Sequence, residues 1–242
     1  MKIKIFDDYE RMSATAADLI IDIVKRKPAS VLCFATGNTP VGTYRLMAEK
    51  AKAEKTDFSN CICIGLDEWL GVSSDKSGSC HYTLYHQVFR PLKIKDSQIH
   101  LFNAMTKDIE SECKKMNELI EKVGGIDLLL AGVGVNGHIG FNEPGADVSL
   151  LAHDQELHDT TLSSGQNYFS EPTLIRKGIT LGMMQVMKAG TLLLLANGIK
   201  KAPIMKQALE GDVTNKVPAS FIQQHTSGVV ILDKEAGSAL SK

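Results

Sequence analysis

The chain has 242 residues, of which 43% are hydrophobic and 23% are charged, and its formal net charge at pH 7 is −1. This length suits one large α/β domain, so we predict a single domain over residues 1–242. The near-neutral charge carries no signature of a nucleic-acid partner, and no apolar run reaches the ~18 residues of a membrane-spanning helix. We therefore expect a cytoplasmic protein that binds neither nucleic acid nor membrane.

Strand-like and helix-like hydrophobic patterns alternate along the chain. Strands are predicted at residues 3–6, 30–35, 61–66, 126–132, 191–196 and 228–232. Helices are predicted at 9–27, 40–53, 79–89, 107–123 and 200–209, with a turn into a short helix at 178–186. The stretches 70–79 and 143–173 are predicted to be loops that could cover a site. This alternation indicates an α/β fold, with a mostly parallel, doubly wound, Rossmann-like sheet and helices on both faces.

The cysteines number five and are scattered along the chain. In a cytoplasmic protein we expect them to be reduced thiols of the core. Cys61 and Cys63 alternate in a strand-like run, which predicts that both face the same side of a sheet. No second pair of ligands accompanies them, so no metal site is expected.

A glycine-containing loop follows the second predicted strand and reads Thr36-Gly37-Asn38-Thr39-Pro40. Gly37 permits an unusual backbone angle, and proline suits the first position of a helix. Backbone amides at a helix N-terminus bind anions, so one interpretation is a phosphate cradle formed by Gly37, Asn38 and Thr39. The alternative is an ordinary turn in which Thr39 caps the helix.

An acidic pair, Asp67 and Glu68, follows the third predicted strand. A carboxylate at the carboxyl end of a parallel strand is well placed for proton transfer, and partial desolvation would raise its pKa. The alternative is that Asp67 caps a turn and Glu68 is solvated.

The segment 131–145 follows the apolar strand predicted at 126–132 and is rich in glycine. It carries His138 and, five residues later in a non-helical stretch, Glu143, so both side chains can converge on one substrate. The glycine spacing also matches a dinucleotide-binding fingerprint, but Pro144 interrupts the helix that this fingerprint should open. We therefore favour acid–base chemistry on a small polar substrate.

Two basic positions lie in the last third of the chain. Lys201 begins a helix after the strand predicted at 191–196, where a lysine can reach a phosphate as a point charge. Arg176 precedes a glycine-containing run, Gly178-Ile179-Thr180-Leu181-Gly182. The alternative for both is a solvated surface position.

Taken together, these motifs resemble the amino-sugar-phosphate deaminase family. The resemblance rests on 36–40, on Leu66-Asp67-Glu68-Trp69, on the run 134–144 and on Leu209-Glu210-Gly211, in the family's order over nearly the whole chain. The runs 67–69, 176–182 and 218–221 look closer to the galactosamine-6-phosphate branch than to the glucosamine-6-phosphate branch. The related 6-phosphogluconolactonases share the fold and the glycine-rich core that ends in histidine.

The resemblance implies an enzyme that opens the ring of an amino-sugar 6-phosphate, isomerises it through an enolamine, and releases ammonia and a ketohexose 6-phosphate. It implies no metal and no other cofactor. It also implies roles for particular residues: Asp67 as the base for proton transfer between carbons, His138 for ring opening, Glu143 to orient His138, and Gly37, Asn38, Thr39 and Lys201 to hold the phosphate.

Two positions depart from the family's pattern. Well-known deaminases carry an aspartate where this chain has Asn136, whose amide we expect to orient the histidine ring through a hydrogen bond. Allosteric deaminases carry a phosphate-contacting arginine near 166–169, and Arg176 is the candidate substitute here. The alternative function is a 6-phosphogluconolactonase that uses His138 as a base on water, and a sugar-phosphate sensor of the same fold is a third possibility. The family includes monomers and hexamers, so a homo-oligomer is possible.

Overall fold

Ten strands are present in the computed structural model, which describes residues 1–241. They are β1 (Lys2–Phe6), β2 (Val31–Phe34), β3 (Ile62–Gly65), β4 (Asp67–Trp69), β5 (Ile99–His100), β6 (Leu128–Gly132), β7 (His153–Glu156), β8 (Lys177–Thr180), β9 (Thr191–Ala196) and β10 (Gly228–Asp233). Seven of them form one sheet in the order β1-β10-β9-β6-β2-β3-β5, and every neighbouring pair in it is parallel. The other three form a small antiparallel sheet in the order β4-β8-β7. The predicted mostly parallel sheet is confirmed.

Helices connect the strands of the large sheet. They are α1 (Tyr9–Arg26), α2 (Val41–Glu54), α3 (Cys80–Leu84), α4 (Arg90–Leu92), α5 (Ile109–Lys122), α6 (Asp159–Gly165), α7 (Met183–Lys188) and α8 (Ala202–Glu210). A π-helical turn, Tyr85–Phe89, joins α3 to α4. Short 3₁₀ turns lie at Asp96–Gln98, Gln166–Tyr168, Ile199–Lys201 and Pro218–Gln224.

Both faces of the large sheet are buried, because successive side chains of a strand point to opposite sides. In β6, Leu128 and Leu130 pack with the apolar residues of α1 and α2. Leu129 and Ala131 of the same strand pack with α5, α7 and α8 on the other face. The helices therefore cover both faces, as the sequence predicts.

The cysteines are all buried and unpaired by disulfides. Cys61 and Cys63 belong to the same hydrophobic cluster, which confirms that they face one side of the sheet. Within residues 1–241 no group of histidine, cysteine and carboxylate side chains could hold a metal ion. No helix in that range is long and apolar enough to cross a membrane.

Of the two predicted loops, 70–79 is confirmed, whereas 143–173 contains more structure than the sequence predicts. The range 143–173, predicted to be a loop, contains β7 and α6, and the turn predicted near 178 is the strand β8. The sequence of β7 is His-Asp-Gln-Glu and the strand is only partly buried at a sheet edge, so it has no apolar alternation to detect. Tertiary pairing with β8, not local preference, fixes this segment as a strand.

Strand order determines where a site can form. The strands β9, β6, β2 and β3 are consecutive neighbours at the centre of the large sheet. Because they are parallel, the four loops that follow them meet at one edge of the sheet. Those loops carry the motifs that the sequence singles out.

Candidate active site

A cavity of about 150 Å³ opens where these four loops meet. Its wall includes six of the predicted site residues: Gly37, Asn38, Thr39, Asp67, His138 and Lys201. Sequence positions up to 164 residues apart are thus brought to one cavity by the carboxyl ends of four adjacent strands. The predicted convergence of these residues is what the structure shows.

Asp67 lies at the start of β4, and its side chain lines the cavity. Its Oδ1 atom is buried and accepts no hydrogen bond within residues 1–241. Burial above all, and then the negative charge of Glu68, raise the pKa of Asp67 to about 7, against a smaller lowering effect of the Cys80 thiol. This carboxyl group therefore titrates near neutral pH, as proton transfer at a carbon centre requires.

Glu68 points to the other side of β4 and is only 3% exposed. Its Oε1 accepts the backbone N–H groups of Trp69 at 2.8 Å and Cys80 at 2.9 Å, and its Oε2 accepts that of His81 at 2.7 Å. The interpretation of Glu68 as a solvated residue is wrong. This carboxylate fixes the first turn of α3 against β4, which brings Cys80 to the wall of the cavity.

His138 is held from its Nδ1 side. Nδ1 lies 3.1 Å from Thr161 Oγ1 and 3.6 Å from Glu143 Oε2. Glu143 is fully buried, and its carboxylate favours the tautomer of His138 that carries its proton on Nδ1. The other ring nitrogen, Nε2, is then able to accept a proton. Although burial pushes the pKa of Glu143 up, the neighbouring side chains of His138, Thr161 and Asn136 hold it below its usual value.

Two glycines before His138 are required, one by the imidazole ring and one by the backbone angle. A Cβ atom on Gly134 would lie 2.3 to 2.5 Å from three atoms of the imidazole. Gly137 has a φ of +88°, which side-chain-bearing residues rarely adopt. The loop therefore turns tightly enough to lay the imidazole flat against its own backbone.

Asn136 does not contact the histidine ring, so the expected ring hydrogen bond is absent. Its Nδ2 donates to Glu143 Oε2 at 2.8 Å, and its Oδ1 accepts the backbone N–H of His138 at 3.2 Å. The local bend of the loop aims this short side chain at the backbone. Asn136 therefore acts on the ring indirectly, through Glu143 and through the backbone of His138.

Four residues of the loop 36–40 line the cavity, namely Thr36, Gly37, Asn38 and Thr39. Gly37 has a φ of +103°, and the N–H groups of Gly37, Asn38 and Thr39 have no acceptor within residues 1–241. The alternative in which Thr39 caps the helix is wrong, because α2 begins without a side-chain cap and Thr39 Oγ1 donates to Asn197 Oδ1 at 2.7 Å. Unpaired amides at a helix N-terminus suit an anion.

Of the two predicted basic residues, only Lys201 lines the cavity. Its Nζ donates to the carbonyl of Val133 at 2.6 Å, and burial lowers its pKa. Arg176 lies away from the cavity wall, with a side chain that is 80% exposed and a contact of 3.3 Å from its Nε to Glu156 Oε2. It precedes β8 at the surface, where the acidic β7 faces it.

Other cavity residues escape prediction, among them Cys80, Thr161 and Tyr168. Thr161 and Tyr168 belong to the range 143–173, which shows no periodic pattern. Cys80 follows the helix cap Ser79, and nothing in its local sequence marks it. The contact between Thr161 and His138 spans 23 residues and depends on how α6 packs, so no spacing rule could indicate it.

Comparison with known proteins identifies the family of the chain. A family model described as "Glucosamine-6-phosphate isomerases/6-phosphogluconolactonase" matches residues 7–231. A protein named glucosamine-6-phosphate deaminase from Thermoanaerobacter pseudethanolicus is 42% identical over 241 residues, which cover 99% of this chain and 95% of that protein.

Solved structures extend the comparison. A structure described as a monomeric glucosamine-6-phosphate deaminase superposes with a TM-score of 0.96 at 35% identity, and covers 99% of this chain and 100% of its own. A 6-phosphogluconolactonase from Trypanosoma brucei has a TM-score of 0.79 at 18% identity over 99% of this chain and 98% of its own, a likeness of fold alone. The chain therefore belongs to the family of glucosamine-6-phosphate isomerases and 6-phosphogluconolactonases.

Proposed function

We propose that the chain is an enzyme that deaminates and isomerises a hexosamine 6-phosphate, giving a ketohexose 6-phosphate and ammonia. One observation carries the proposal. Asp67, a carboxyl group with a pKa of about 7, shares a cavity with an oriented histidine and with a loop of unpaired backbone amides. The relatives named glucosamine-6-phosphate deaminase support this choice.

The first step in the proposed reaction is ring opening. The phosphate binds to the amides of Gly37, Asn38 and Thr39 and to the ammonium group of Lys201. His138 then takes the proton from the hydroxyl group on the first carbon and returns it to the ring oxygen. The bond between that carbon and the ring oxygen breaks, and an aldehyde forms. Glu143 stabilises the imidazolium that exists during the transfer.

The second step is proton transfer between carbons. Asp67 removes the proton from the amine-bearing carbon while the aldehyde oxygen takes a proton from water, which gives an enolamine. Asp67 then delivers its proton to the first carbon. The amine-bearing carbon becomes an iminium. Water adds to it, ammonia leaves, and a ketone remains. Every proton in this sequence is held by a side chain or by water, so we propose that no metal and no other cofactor takes part.

Two kinds of observation bear on which epimer of the amino sugar is the substrate, and they point to different epimers. The curated and solved relatives carry the name of glucosamine 6-phosphate, whereas the runs 67–69, 176–182 and 218–221 resemble the galactosamine-6-phosphate branch. We propose glucosamine 6-phosphate and galactosamine 6-phosphate as the two substrates to compare.

The five buried thiols favour a reducing compartment such as the cytoplasm.

The test is ammonia release by the purified protein, without added cofactor, on the two amino-sugar phosphates in parallel. Release from one of them supports the deaminase and identifies the epimer. Silence on both from folded protein overturns the proposal.

A lactonase is the second candidate, because the family and the structural neighbours include 6-phosphogluconolactonases. Lactone hydrolysis uses a base on water and needs no proton transfer between carbons. Asp67→Asn therefore separates the two activities. Deamination should fall by about 10²-fold or more, whereas lactone hydrolysis should change much less.

A further inference from the structure

We propose that Tyr9 and Asn197 are positioning residues that hold the loop 36–40 in its anion-binding conformation from opposite sides. The inference rests on the proposed role of Gly37, Asn38 and Thr39 as the phosphate site. Neither Tyr9 nor Asn197 lines the cavity. Both act on it through Thr39.

Tyr9 lies at the first position of α1, 30 residues before the loop in sequence. Its hydroxyl donates to the carbonyl oxygen of Thr39 at 2.9 Å, with the carbonyl of Asn38 at 3.3 Å. The same hydroxyl accepts the backbone N–H of Gly42 at 2.8 Å. One phenol group thus joins the carbonyl side of the loop to the first turn of α2.

The fit around Gly42 shows how closely this phenol packs. A Cβ atom on Gly42 would lie 2.8 Å from Tyr9 Cε1, 3.0 Å from the Tyr9 hydroxyl and 2.6 Å from Ser13 Oγ. The backbone angle of Gly42 is not in the left-handed region, so the close approach of Ser13 and Tyr9 is the reason for a glycine here. Position 42 and position 9 form one packed unit.

On the opposite side, Thr39 Oγ1 donates to Asn197 Oδ1 at 2.7 Å. Asn197 follows β9 and precedes the 3₁₀ turn that carries Lys201. The next residue, Gly198, has a φ of +84° and donates its N–H to the buried carboxylate of Asp233 at 2.9 and 3.1 Å. The amides of one loop and the ammonium group of the other are therefore connected through the bond between Thr39 and Asn197.

This arrangement has a consequence for binding. The carbonyl of Asn38 shares a peptide plane with the N–H of Thr39, so the contact of Tyr9 with that carbonyl directs the Thr39 N–H to the opposite side of the loop before any ligand arrives. Preorganised donors bind an anion without a further ordering cost. A phosphate that stays bound through the reaction gains equally in the ground state and the transition state, so loss of the preorganisation should raise KM and leave kcat unchanged.

The test compares Tyr9→Phe and Asn197→Ala with the unaltered protein. Binding of inorganic phosphate and of glucosamine 6-phosphate is measured by calorimetry, and KM and kcat are measured by ammonia release. We expect each variant to raise the Kd for phosphate and the KM by about tenfold, the effect of one lost hydrogen bond, with kcat unchanged. Tyr85→Phe is the matched control, because it removes a hydroxyl that donates to Asp96 Oδ1 at 2.9 Å, outside this loop.

The possible results test the positioning role of Tyr9 and Asn197 separately from the proposed reaction. Phosphate binding that is as tight in both variants as in the unaltered protein overturns the inference, as does no phosphate binding by the unaltered protein. A fall in kcat at constant KM also overturns it, because that result indicates a general structural defect. Weakened phosphate binding in the variants of a protein that releases no ammonia leaves the inference standing and overturns the proposed reaction.

Discussion

At the scale of the residue, two adjacent carboxylates have opposite surroundings. Asp67 faces the cavity with an unpaired buried oxygen, whereas Glu68 faces the interior and accepts three backbone N–H groups. The alternation of side chains along β4 produces this difference. Asp67 is thereby left with a titratable group in the cavity, and Glu68 holds the first turn of α3.

The rate should depend on pH through Asp67. Its pKa is about 7, and only the ionised carboxylate can remove a proton from carbon. We therefore expect kcat/KM for ammonia release to fall as pH is lowered through about 7. The measurement is a pH–rate profile in buffers of constant ionic strength. A rate that is unchanged between about pH 8 and pH 5.5 would contradict the assignment of Asp67 as the base.

The stability of the fold should also depend on the ionisation of Asp67. Stability should fall, rather than rise, as pH increases through 7. The folded-state pKa of about 7 lies above the ordinary value of 3.8, so the fold favours the neutral carboxyl group. That contribution to stability is fully present below about pH 4 and is lost as pH rises through 7. Asp67→Asn keeps the group neutral at every pH, and we expect it to raise Tm at pH 8 and to change Tm little at pH 4. Equal shifts at both pH values, seen by calorimetry, would show that ionisation is not the cause.

At the scale of the element, the short helix α3 depends on one buried charge. Glu68 binds the N–H groups of Cys80 and His81, the first two residues of that helix. A glutamine at position 68 has one acceptor oxygen instead of two, and its amide hydrogens would face backbone N–H groups. Leaving buried donors unpaired costs about 1–3 kcal/mol for each.

We therefore expect Glu68→Gln to lower the free energy of unfolding by about 2–4 kcal/mol, measured by urea denaturation. Glu110→Gln is the matched control, because Glu110 is an exposed glutamate in the first turn of α5. It should change stability by less than about 0.5 kcal/mol. A similar small change for both variants would mean that Glu68 does not fix α3.

At the scale of the whole molecule, the large sheet contributes residues to the hydrophobic layers on both of its faces, and its strand ends form the cavity. The layers on its two faces contain alternate residues of the same strands, and the site lies at the ends of four of them. That residues 1–242 form a single domain stays a prediction. If it is right, thermal unfolding should give one transition, and inorganic phosphate should shift the whole transition upward without splitting it. Two calorimetric transitions, of which phosphate moves only one, would contradict it.

The alternation of hydrophobic patterns was sufficient to predict the parallel sheet, because strands such as β6 and β9 are buried on both faces and are almost wholly apolar. Segments without that burial could not be predicted. The strand β7 is polar and β5 has two residues, so neither has a period. Only their pairing with β8 and β3 makes them strands.

Some features of the candidate site could be predicted from the sequence, and others could not. The sequence alone indicated which loops line the cavity, because glycines and polar residues that follow apolar parallel strands lie at the edge of the sheet where open α/β folds bind ligands. It could not determine that Thr161 rather than Asn136 contacts the imidazole, that Arg176 lies away from the cavity, or that Glu68 is buried. Tertiary structure decided these because each depends on which distant segment packs against the loop, and a side chain's partners and pKa are set by that packing rather than by its neighbours in sequence.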